Sequence, residues 1–146
     1  MNYYGYKTFE NDTKKLIEQS REYQPDTIVA IARGGMMLGQ LMGYGLSVRN
    51  VQSIHVESYD DEHQRNSVTI FGDCDLKRSE RILVVDDIVD SGKTLQAILK
   101  YFKKSAPHAI IKSASLFYKH SAVIQPDYTI REATEWINFF WEADYA

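Results

Sequence analysis

The chain alternates between short apolar runs and stretches in which apolar residues recur every three or four positions. The apolar runs predict five strands, at residues 27–32, 51–59, 67–71, 81–85 and 110–118. The recurring positions predict three helices, at residues 9–23, 36–46 and 94–104. Asp12 or Thr13 is placed to cap the first helix. Residues 128–146 are rich in aromatic side chains and predict irregular structure.

The order of these elements predicts the fold class. Strands and helices alternate, which favours an α/β fold with a mainly parallel, five-stranded sheet and crossover helices. The runs at 51–59 and 67–71 flank the polar segment 60–66, so we expect them to pair as a hairpin flap with a charged tip.

Composition limits what the protein does. With 146 residues, of which 44% are hydrophobic, there is room for one core, so we expect a single domain over residues 1–146. The net charge of -3 disfavours nucleic acid and anionic membranes as partners. The single cysteine, Cys74, and the lack of a signal peptide favour a cytoplasmic protein. No apolar run approaches the ~20 residues that cross a bilayer, so no membrane span is expected.

The densest group of candidate functional residues directly follows the predicted strand at 81–85. In open α/β sheets, ligands bind beyond the carboxyl ends of the strands. Here the carboxylates of Asp86, Asp87 and Asp90 precede small or hydroxylated residues at 91–94 that begin a helix. Backbone N–H groups at a helix N-terminus bind phosphate, whereas carboxylates accept hydrogen bonds from vicinal hydroxyls and bind Mg²⁺. The implied ligand has a phosphate, a ribose with free hydroxyls and a metal ion.

Residues 92–94, Gly-Lys-Thr, also invite comparison with nucleoside triphosphatases. The phosphate-binding pattern of those proteins needs a second glycine five residues before Gly92, and that position is Asp87. The residues therefore disfavour a triphosphatase or a kinase.

Residues 84–94 resemble the phosphoribosyl-pyrophosphate binding motif of type I phosphoribosyltransferases, in which a hydrophobic strand, an acidic pair and a phosphate loop follow one another. Residues 32–35, Ala-Arg-Gly-Gly, are similar to the pyrophosphate loop of that family. Two further segments resemble features of the xanthine-guanine subfamily. Residues 58–60 and 64–65 resemble its flap, and residues 117–119 and 136–137 resemble its purine pocket.

The resemblance implies a type I phosphoribosyltransferase fold with a flap hairpin and a small C-terminal hood. It also implies a purine-salvage enzyme that transfers ribose 5-phosphate from phosphoribosyl pyrophosphate to N9 of a 6-oxopurine (guanine, xanthine or hypoxanthine) and releases pyrophosphate. Mg²⁺ is the implied cofactor, and a homodimer or homotetramer is the implied assembly. A cis peptide bond between Ala32 and Arg33 is a further implication.

The resemblance also assigns a role to each matching position. Asp90 is the expected general base, and Asp87 is the expected Mg²⁺ ligand. The residues expected to contact the purine are Asp90, Lys119, Trp136 and Ile137, with the Lys119 ammonium donating to O6. The residues expected to contact phosphoribosyl pyrophosphate are Arg33, Gly34, Arg65, Asp86, Asp87, Asp90, Ser91, Gly92, Lys93 and Thr94.

Simpler roles remain open for several of these residues. Asp90 could cap the following helix, Lys119 could be a solvated strand end, and Trp136 could pack in the core. Two alternative functions are also open: a regulator that binds phosphoribosyl pyrophosphate without transfer, and a phosphoribosyltransferase for adenine or a pyrimidine. Lys119 discriminates against adenine, whose amino group would face an ammonium donor. Asn138 stands where better-known family members carry an acidic residue, which leaves the base preference open.

Overall fold

The computed structural model describes residues 2–61 and 64–145, and for residues 58–61 and 64–67 it describes the backbone alone. The elements in chain order are β1 (Asn2–Tyr4), α1 (Tyr6–Ser20), β2 (Thr27–Ala32), α2 (Met36–Gly45), β3 (Asn50–Asp61), β4 (Gln64–Phe71), β5 (Arg81–Val89), α3 (Lys93–Ser105), β6 (Ile110–Tyr118), β7 (Tyr128–Glu132) and β8 (Ile137–Phe139), with 3₁₀ turns at Arg21–Tyr23 and Phe140–Glu142. No α-helix in these ranges is long and apolar enough to cross a membrane.

The main sheet has the strand order β4-β3-β2-β5-β6-β7. Its strand pairs are parallel, apart from the antiparallel pair of β3 and β4. The predicted mainly parallel α/β fold is therefore confirmed. The prediction of five strands is wrong, because β7 pairs with β6 as a sixth strand. This edge strand is only half-buried or exposed along its length, so its sequence lacks the apolar run that would have predicted it.

A second, two-stranded sheet joins the two ends of the described chain. β1 and β8 are parallel, with Asn2 opposite Ile137 and Tyr4 opposite Phe139. We call these two strands and the following 3₁₀ turn at Phe140–Glu142 the hood. The predicted C-terminal hood thus includes an N-terminal strand, and the prediction of irregular structure over 128–146 is wrong for β7 and β8.

The central strands are buried on both faces, which explains their uninterrupted apolar runs. Ile28 of β2 and Leu83 of β5 pack with residues of α1 and α2, while Val29 and Val84 pack with residues of α3. All four side chains are fully buried. Burying an aliphatic side chain of this size stabilises the folded state by roughly 1.5–3 kcal/mol. The two cores hold β2 and β5 rigidly side by side.

The strand β5 is longer than its apolar run predicts. Its pairing with β6 continues through Asp86, Ile88 and Val89, so the strand ends at Val89 and not at residue 85. Backbone pairing does not require an apolar side chain, and here the polar residues continue an established ladder. The acidic pair therefore lies on the last part of the central strand.

The flap is a longer hairpin than predicted. β3 and β4 pair from His55 and Phe71 to Asp61 and Gln64, with an irregularity in register between Tyr59 and Asp61. Most of the polar segment 60–66 is thus strand, because antiparallel backbone bonds extend beyond the alternating apolar pattern. The predicted charged tip includes Glu62 and His63, which lie outside the described residues.

The first helix begins at Tyr6 and not at residue 9, so Asp12 and Thr13 lie in its middle and the predicted cap is wrong. Both side chains are buried. Asp12 accepts hydrogen bonds from Arg131 of β7 and Tyr4 of β1. A residue type that is typical of helix caps is here part of a tertiary contact between the hood, α1 and the main sheet.

Candidate functional site

The predicted site residues meet at the carboxyl ends of β2, β5 and β6. Parallel pairing places Ala30 of β2 opposite Val85 of β5, and Val89 of β5 opposite Tyr118 of β6. Residues that follow these strands therefore emerge at the same edge of the sheet. This edge carries Arg33 and Gly34, the segment 86–94, and Lys119.

The two carboxylates of the acidic pair are buried to different extents. Asp87 is 8% exposed and Asp86 is half-buried. Asp86 Oδ1 accepts a hydrogen bond of 2.9 Å from the Asp87 N–H, and Asp87 Oδ1 accepts one of 2.7 Å from the Ile88 N–H. Neither carboxylate forms an ion pair within the described residues.

Burial raises the pKa of Asp86 well above its ordinary value, and the adjacent Asp87 carboxylate adds to the rise. Burial also raises the pKa of Asp87. These shifts mean that negative charge is costly here in the free protein. A ligand that brings hydrogen-bond donors or a cation would remove that cost.

The loop after β2 lies directly on the acidic pair. A Cβ atom at Gly34 would collide with the Asp87 carboxylate, and one at Gly35 would lie 2.6 Å from the carbonyl oxygen of Val85. Glycine is therefore required at both positions for the loop to approach so closely. The peptide bond between Ala32 and Arg33 is cis, which confirms that expectation. The exposed Arg33 guanidinium has no hydrogen bond or ion pair within the described ranges.

The segment after β5 forms a loop at the start of α3. Gly92 has a left-handed φ of 82°, and a Cβ atom there would lie 3.0 Å from the backbone nitrogen of Ile124. The first helical hydrogen bond runs from Gln96 N–H to the Gly92 carbonyl, and the Lys93 N–H donates to Ser91 Oγ. N–H groups in the first turn of a helix have no acceptor within the helix. The Thr94 N–H is of this kind.

This loop also borders a small cavity. The cavity has a volume of about 80 Å³. Its lining residues come from β5, the loop and the first turn of α3: Asp86, Ile88, Val89, Asp90, Ser91, Gly92, Thr94 and Leu95. The cavity lining therefore combines two carboxylates, Asp86 and Asp90, with residues at the start of α3.

Lys119 and Asp90 are in contact. Lys119 Nζ lies 2.9 Å from Asp90 Oδ1, and the Lys119 N–H donates to the Val89 carbonyl at 2.9 Å. The Lys119 side chain is 43% exposed and that of Asp90 is 65% exposed, so both are open to a ligand. The structure thus places a hydrogen-bond donor and an acceptor side by side, next to the loop at 91–94.

Ile137 begins β8 of the hood, and Trp136 directly precedes it. Trp136 is 72% exposed, so core packing is not its role. Its carbonyl accepts a hydrogen bond of 2.9 Å from Asn2 N–H, which ties the residue to β1. The Ile137 side chain is buried, so only its backbone can face a ligand. Arg65, which is expected to contact phosphoribosyl pyrophosphate, lies in β4, and the Arg65 side chain is outside the described part of the chain.

Glu142 is a residue that the sequence analysis missed. Burial raises its pKa, and the Asp87 carboxylate raises it further, so the hood brings a third carboxylate near the acidic pair. More than 50 residues separate the two positions in sequence. In the sequence, Glu142 is a single carboxylate after a run of aromatic residues, and this pattern does not predict which residue Glu142 will approach in the fold.

A larger groove lies away from these residues. It has a volume of about 760 Å³ and lies between α2 and β3, where it is lined by Met36, Tyr44, Arg49 and Gln52 among others. None of the predicted site residues lines this groove. The volume of a pocket therefore does not identify the candidate site here.

An α/β sheet whose central strand carries an acidic pair and leads into a glycine-containing loop at a helix start is suited to a ligand that carries both hydroxyl and phosphate groups. Residues 2–146 match the phosphoribosyl transferase domain family, and the chain belongs to this family. It is a phosphoribosyltransferase of type I, an enzyme of the glycosyltransferase class. This membership excludes the triphosphatase alternative.

Individual relatives point to one part of the family. The chain is 30% identical over 118 residues to the xanthine-guanine phosphoribosyltransferase of Idiomarina loihiensis, covering 79% of this chain and 70% of that protein. It is 39% identical to the solved xanthine-guanine-hypoxanthine phosphoribosyltransferase of Helicobacter pylori, with a TM-score of 0.90 and coverage of 97% and 93%. A purine phosphoribosyltransferase from Pyrococcus horikoshii is 32% identical, with a TM-score of 0.82 and coverage of 99% and 95%. The predicted resemblance to the xanthine-guanine subfamily is confirmed.

Proposed function

We propose that the protein is a purine-salvage enzyme that transfers ribose 5-phosphate from phosphoribosyl pyrophosphate to N9 of a 6-oxopurine and releases pyrophosphate. Guanine, xanthine and hypoxanthine are the candidate bases, in keeping with the names of the Idiomarina and Helicobacter relatives. The observation that carries the proposal is the pairing of Lys119 Nζ with Asp90 Oδ1 at 2.9 Å, directly beside the loop at the start of α3.

This pairing supports recognition of a 6-oxopurine. The Lys119 ammonium is a donor without acceptor capacity, so it suits the O6 carbonyl and not the amino group of adenine. The Asp90 carboxylate is an acceptor that suits an imidazole N–H of the base. The exposed ring of Trp136 would stack on the purine, and the Ile137 backbone would bind its edge.

The remaining residues support binding of phosphoribosyl pyrophosphate. Backbone N–H groups over residues 91–94 and the Thr94 hydroxyl would bind the 5-phosphate. Asp86 and Asp87 would accept hydrogen bonds from the ribose hydroxyls. Arg33 and the Gly34 backbone would bind the pyrophosphate. Arg65 would complete the set from the flap.

The acidic residues present fit Mg²⁺. The described residues contain no cluster of three Asp, Glu, His or Cys side chains that would hold a metal ion alone. Mg²⁺ is commonly held by one or two carboxylates together with substrate oxygens and water. Asp87 would hold the ion, and Glu142 is close enough to interact electrostatically with Asp87. Bound Mg²⁺ supplies positive charge that neutralises the acidic pair and the pyrophosphate.

In the proposed reaction the purine nitrogen N9 forms a bond to the anomeric carbon, and the bond from that carbon to the pyrophosphate oxygen breaks. The bonding electron pair leaves with pyrophosphate, whose added charge the Arg33 guanidinium stabilises. Asp90 takes the imidazole proton of the base. Positioning of the base by Lys119 and Trp136 would bring N9 into line with the anomeric carbon.

We propose that the enzyme works in the cytoplasm as a homodimer or homotetramer. Exposed apolar residues around the groove between α2 and β3 support self-association, because Met36, Met37, Tyr44 and Val51 are all at least 38% exposed. Sedimentation equilibrium of the purified protein tests this proposal. A monomer at micromolar concentration would contradict it.

A substrate panel tests the reaction. The purified protein with Mg²⁺ and phosphoribosyl pyrophosphate is offered guanine, hypoxanthine, xanthine, adenine, uracil and orotate in turn, and pyrophosphate release is followed. We expect turnover with at least one 6-oxopurine and rejection of adenine. Adenine or a pyrimidine as the best substrate would contradict the assignment of Lys119. Binding of phosphoribosyl pyrophosphate without turnover of any base would instead favour the regulator.

A further inference from the structure

Residues 119–127, which join β6 to β7 and which we call the β6–β7 loop, touch both parts of the proposed site. The loop begins with Lys119, whose ammonium contacts Asp90. Farther along, the Val123 N–H donates to the Ser91 carbonyl at 2.9 Å, and the backbone at Ile124 lies against Gly92. The loop thus runs from the base-recognition lysine to the back of the phosphate loop.

Two groups hold the Lys119 carbonyl in place. The Ala122 N–H donates to it at 3.0 Å, and so does Gln125 Nε2 at 3.0 Å. Gln125 Nε2 also lies 3.4 Å from the His120 carbonyl oxygen. Because both of its neighbours are carbonyl oxygens, the amide nitrogen and not the amide oxygen must face them. The Gln125 side chain therefore closes the loop on its first two residues.

We propose that Gln125 is a positioning residue for base recognition, which acts through the backbone of Lys119. This inference rests on the proposed function. A lysine side chain carries its ammonium on a flexible four-carbon stem, so the position of the Lys119 ammonium depends on the position of the Lys119 backbone. The strand pairing fixes the N–H side of Lys119 on Val89, and the Gln125 amide fixes its carbonyl side.

The phosphate loop should not depend on Gln125. The contact between Val123 and Ser91 is made by backbone groups, and the far end of the loop is anchored separately by Asp127, whose carboxylate accepts a hydrogen bond of 2.8 Å from the Ser113 N–H. Loss of the Gln125 amide would therefore loosen residues 119–120 and leave the phosphate contacts in place. A ligand with a base should lose affinity, and a ligand without one should not.

Calorimetric titrations of the full chain test this difference. The two probes are guanosine 5′-monophosphate, which carries phosphate, ribose and base, and phosphoribosyl pyrophosphate with Mg²⁺, which carries no base. We expect Gln125→Ala to weaken nucleotide binding about fivefold, as for one net hydrogen bond, and to leave phosphoribosyl pyrophosphate binding within twofold. Gln125→Glu has the same shape but cannot donate, so it should lose at least as much. Ser121→Ala, an exposed change in the same loop, is the control and should change neither affinity.

A double-mutant cycle shows whether Gln125 acts through Lys119. In a Lys119→Ala background, Gln125→Ala should cause no further loss of nucleotide affinity. Additive losses would overturn the proposal, as would equal losses for both probes or an unchanged nucleotide affinity. Failure of the wild-type protein to bind guanosine 5′-monophosphate would overturn this inference, whereas rejection of every 6-oxopurine in the substrate panel would overturn the proposed function.

Discussion

Asp12 in the middle of α1 and Asp87 on the central strand are both buried carboxylates, but their neighbours differ. Asp12 is fully buried and accepts two hydrogen bonds from Arg131, at 2.6 and 3.1 Å, and one from the Tyr4 hydroxyl at 2.7 Å. Asp87 has the Asp86 carboxylate beside it and accepts a backbone N–H, without an ion pair in the described ranges. The fold thus supplies a counter-charge to Asp12 and none, in the described ranges, to Asp87.

This difference separates a carboxylate that stabilises the folded state from one whose burial costs free energy. A buried charge without a partner costs free energy, so a fold that retains one needs a compensating role for it. The contact of Asp12 joins β1, α1 and β7 and needs no ligand. The acidic pair lies at the sheet edge where a diol and a cation are expected. The paired carboxylate of Asp12 should therefore control stability, and the unpaired carboxylates at the sheet edge should control binding and rate.

Replacing the proposed general base should give the largest effect. Asp90→Asn keeps the side-chain shape and removes the proton acceptor, so we expect kcat to fall by ~10²–10⁴. The free energy of unfolding should stay within about 0.5 kcal/mol, because the Asp90 side chain is exposed. Glu132→Gln, an exposed change on β7, is the control in the pyrophosphate-release assay. A rate within threefold of the wild type would remove Asp90 from the mechanism.

Breaking the contact of Asp12 should lower stability, in contrast to Asp90→Asn, which should lower the rate. Asp12→Asn weakens the paired hydrogen bonds to Arg131 and leaves that guanidinium without its counter-charge, so the free energy of unfolding should fall by about 2–4 kcal/mol. Urea denaturation followed by circular dichroism measures the change. Glu18→Gln on the same helix removes an exposed ion pair with Arg21 and should cost under about 1 kcal/mol. Equal stability of the two variants would show that the contact of Asp12 is not stabilising.

Removing the base-recognition cation should have an intermediate effect. Lys119→Ala should reduce the preference for guanine over adenine by about one to two decades in kcat/KM, because an unpaired donor no longer penalises the adenine amino group. The KM for phosphoribosyl pyrophosphate should hardly change. Lys100→Ala, on the exposed side of α3, is the control. An unchanged preference would show that Lys119 does not read the 6-position.

Neutralising Asp86, one member of the acidic pair, should change stability only modestly, and the change should depend on pH. Because burial raises the folded-state pKa of Asp86, the folded protein binds a proton more tightly than the unfolded chain, and its stability falls as pH rises from about 4 through the folded pKa. Asp86→Asn should show a smaller decline and be about 0.5–2 kcal/mol more stable at neutral pH.

The same variant should bind phosphoribosyl pyrophosphate less tightly, since a diol acceptor is lost. Denaturation curves between pH 4 and 8 and a calorimetric titration measure the two properties. A variant less stable than the wild type at neutral pH, or one with unchanged affinity for phosphoribosyl pyrophosphate, would show that the acidic pair is structural.

Local patterns predicted the parts of the molecule in which neighbours in sequence are neighbours in space. The predicted strands at 27–32 and 110–118 agree with β2 and β6, because both are apolar runs buried by packing on the sheet. The segment 86–94 was predicted as a unit, since its carboxylates and loop are contiguous. The prediction failed where tertiary contacts override local pattern, as in the start of α1 and the end of β5.

Other features have no local signal. β1 and β8 have three residues each, and they are strands because they pair with each other across the length of the chain. Glu142 and Gln125 stand out only because of the groups that the fold placed beside them, Asp87 in one case and the Lys119 carbonyl in the other. Such roles depend on long-range pairing, which a single sequence does not display.

The sequence by itself determined the α/β class, the central strands, the acidic pair, the loop at the start of α3 and the lysine that is proposed to contact the base. These features follow from burial periodicity and from chemistry carried by adjacent residues. The tertiary structure decided which groups meet: the register of β5 and β6 brought Lys119 to Asp90, the close approach at Gly34 placed the loop after β2 on Asp87, and the hood brought Glu142 to the acidic pair. The physical reason is that a strand pattern specifies which residues are buried, whereas register and packing specify their partners.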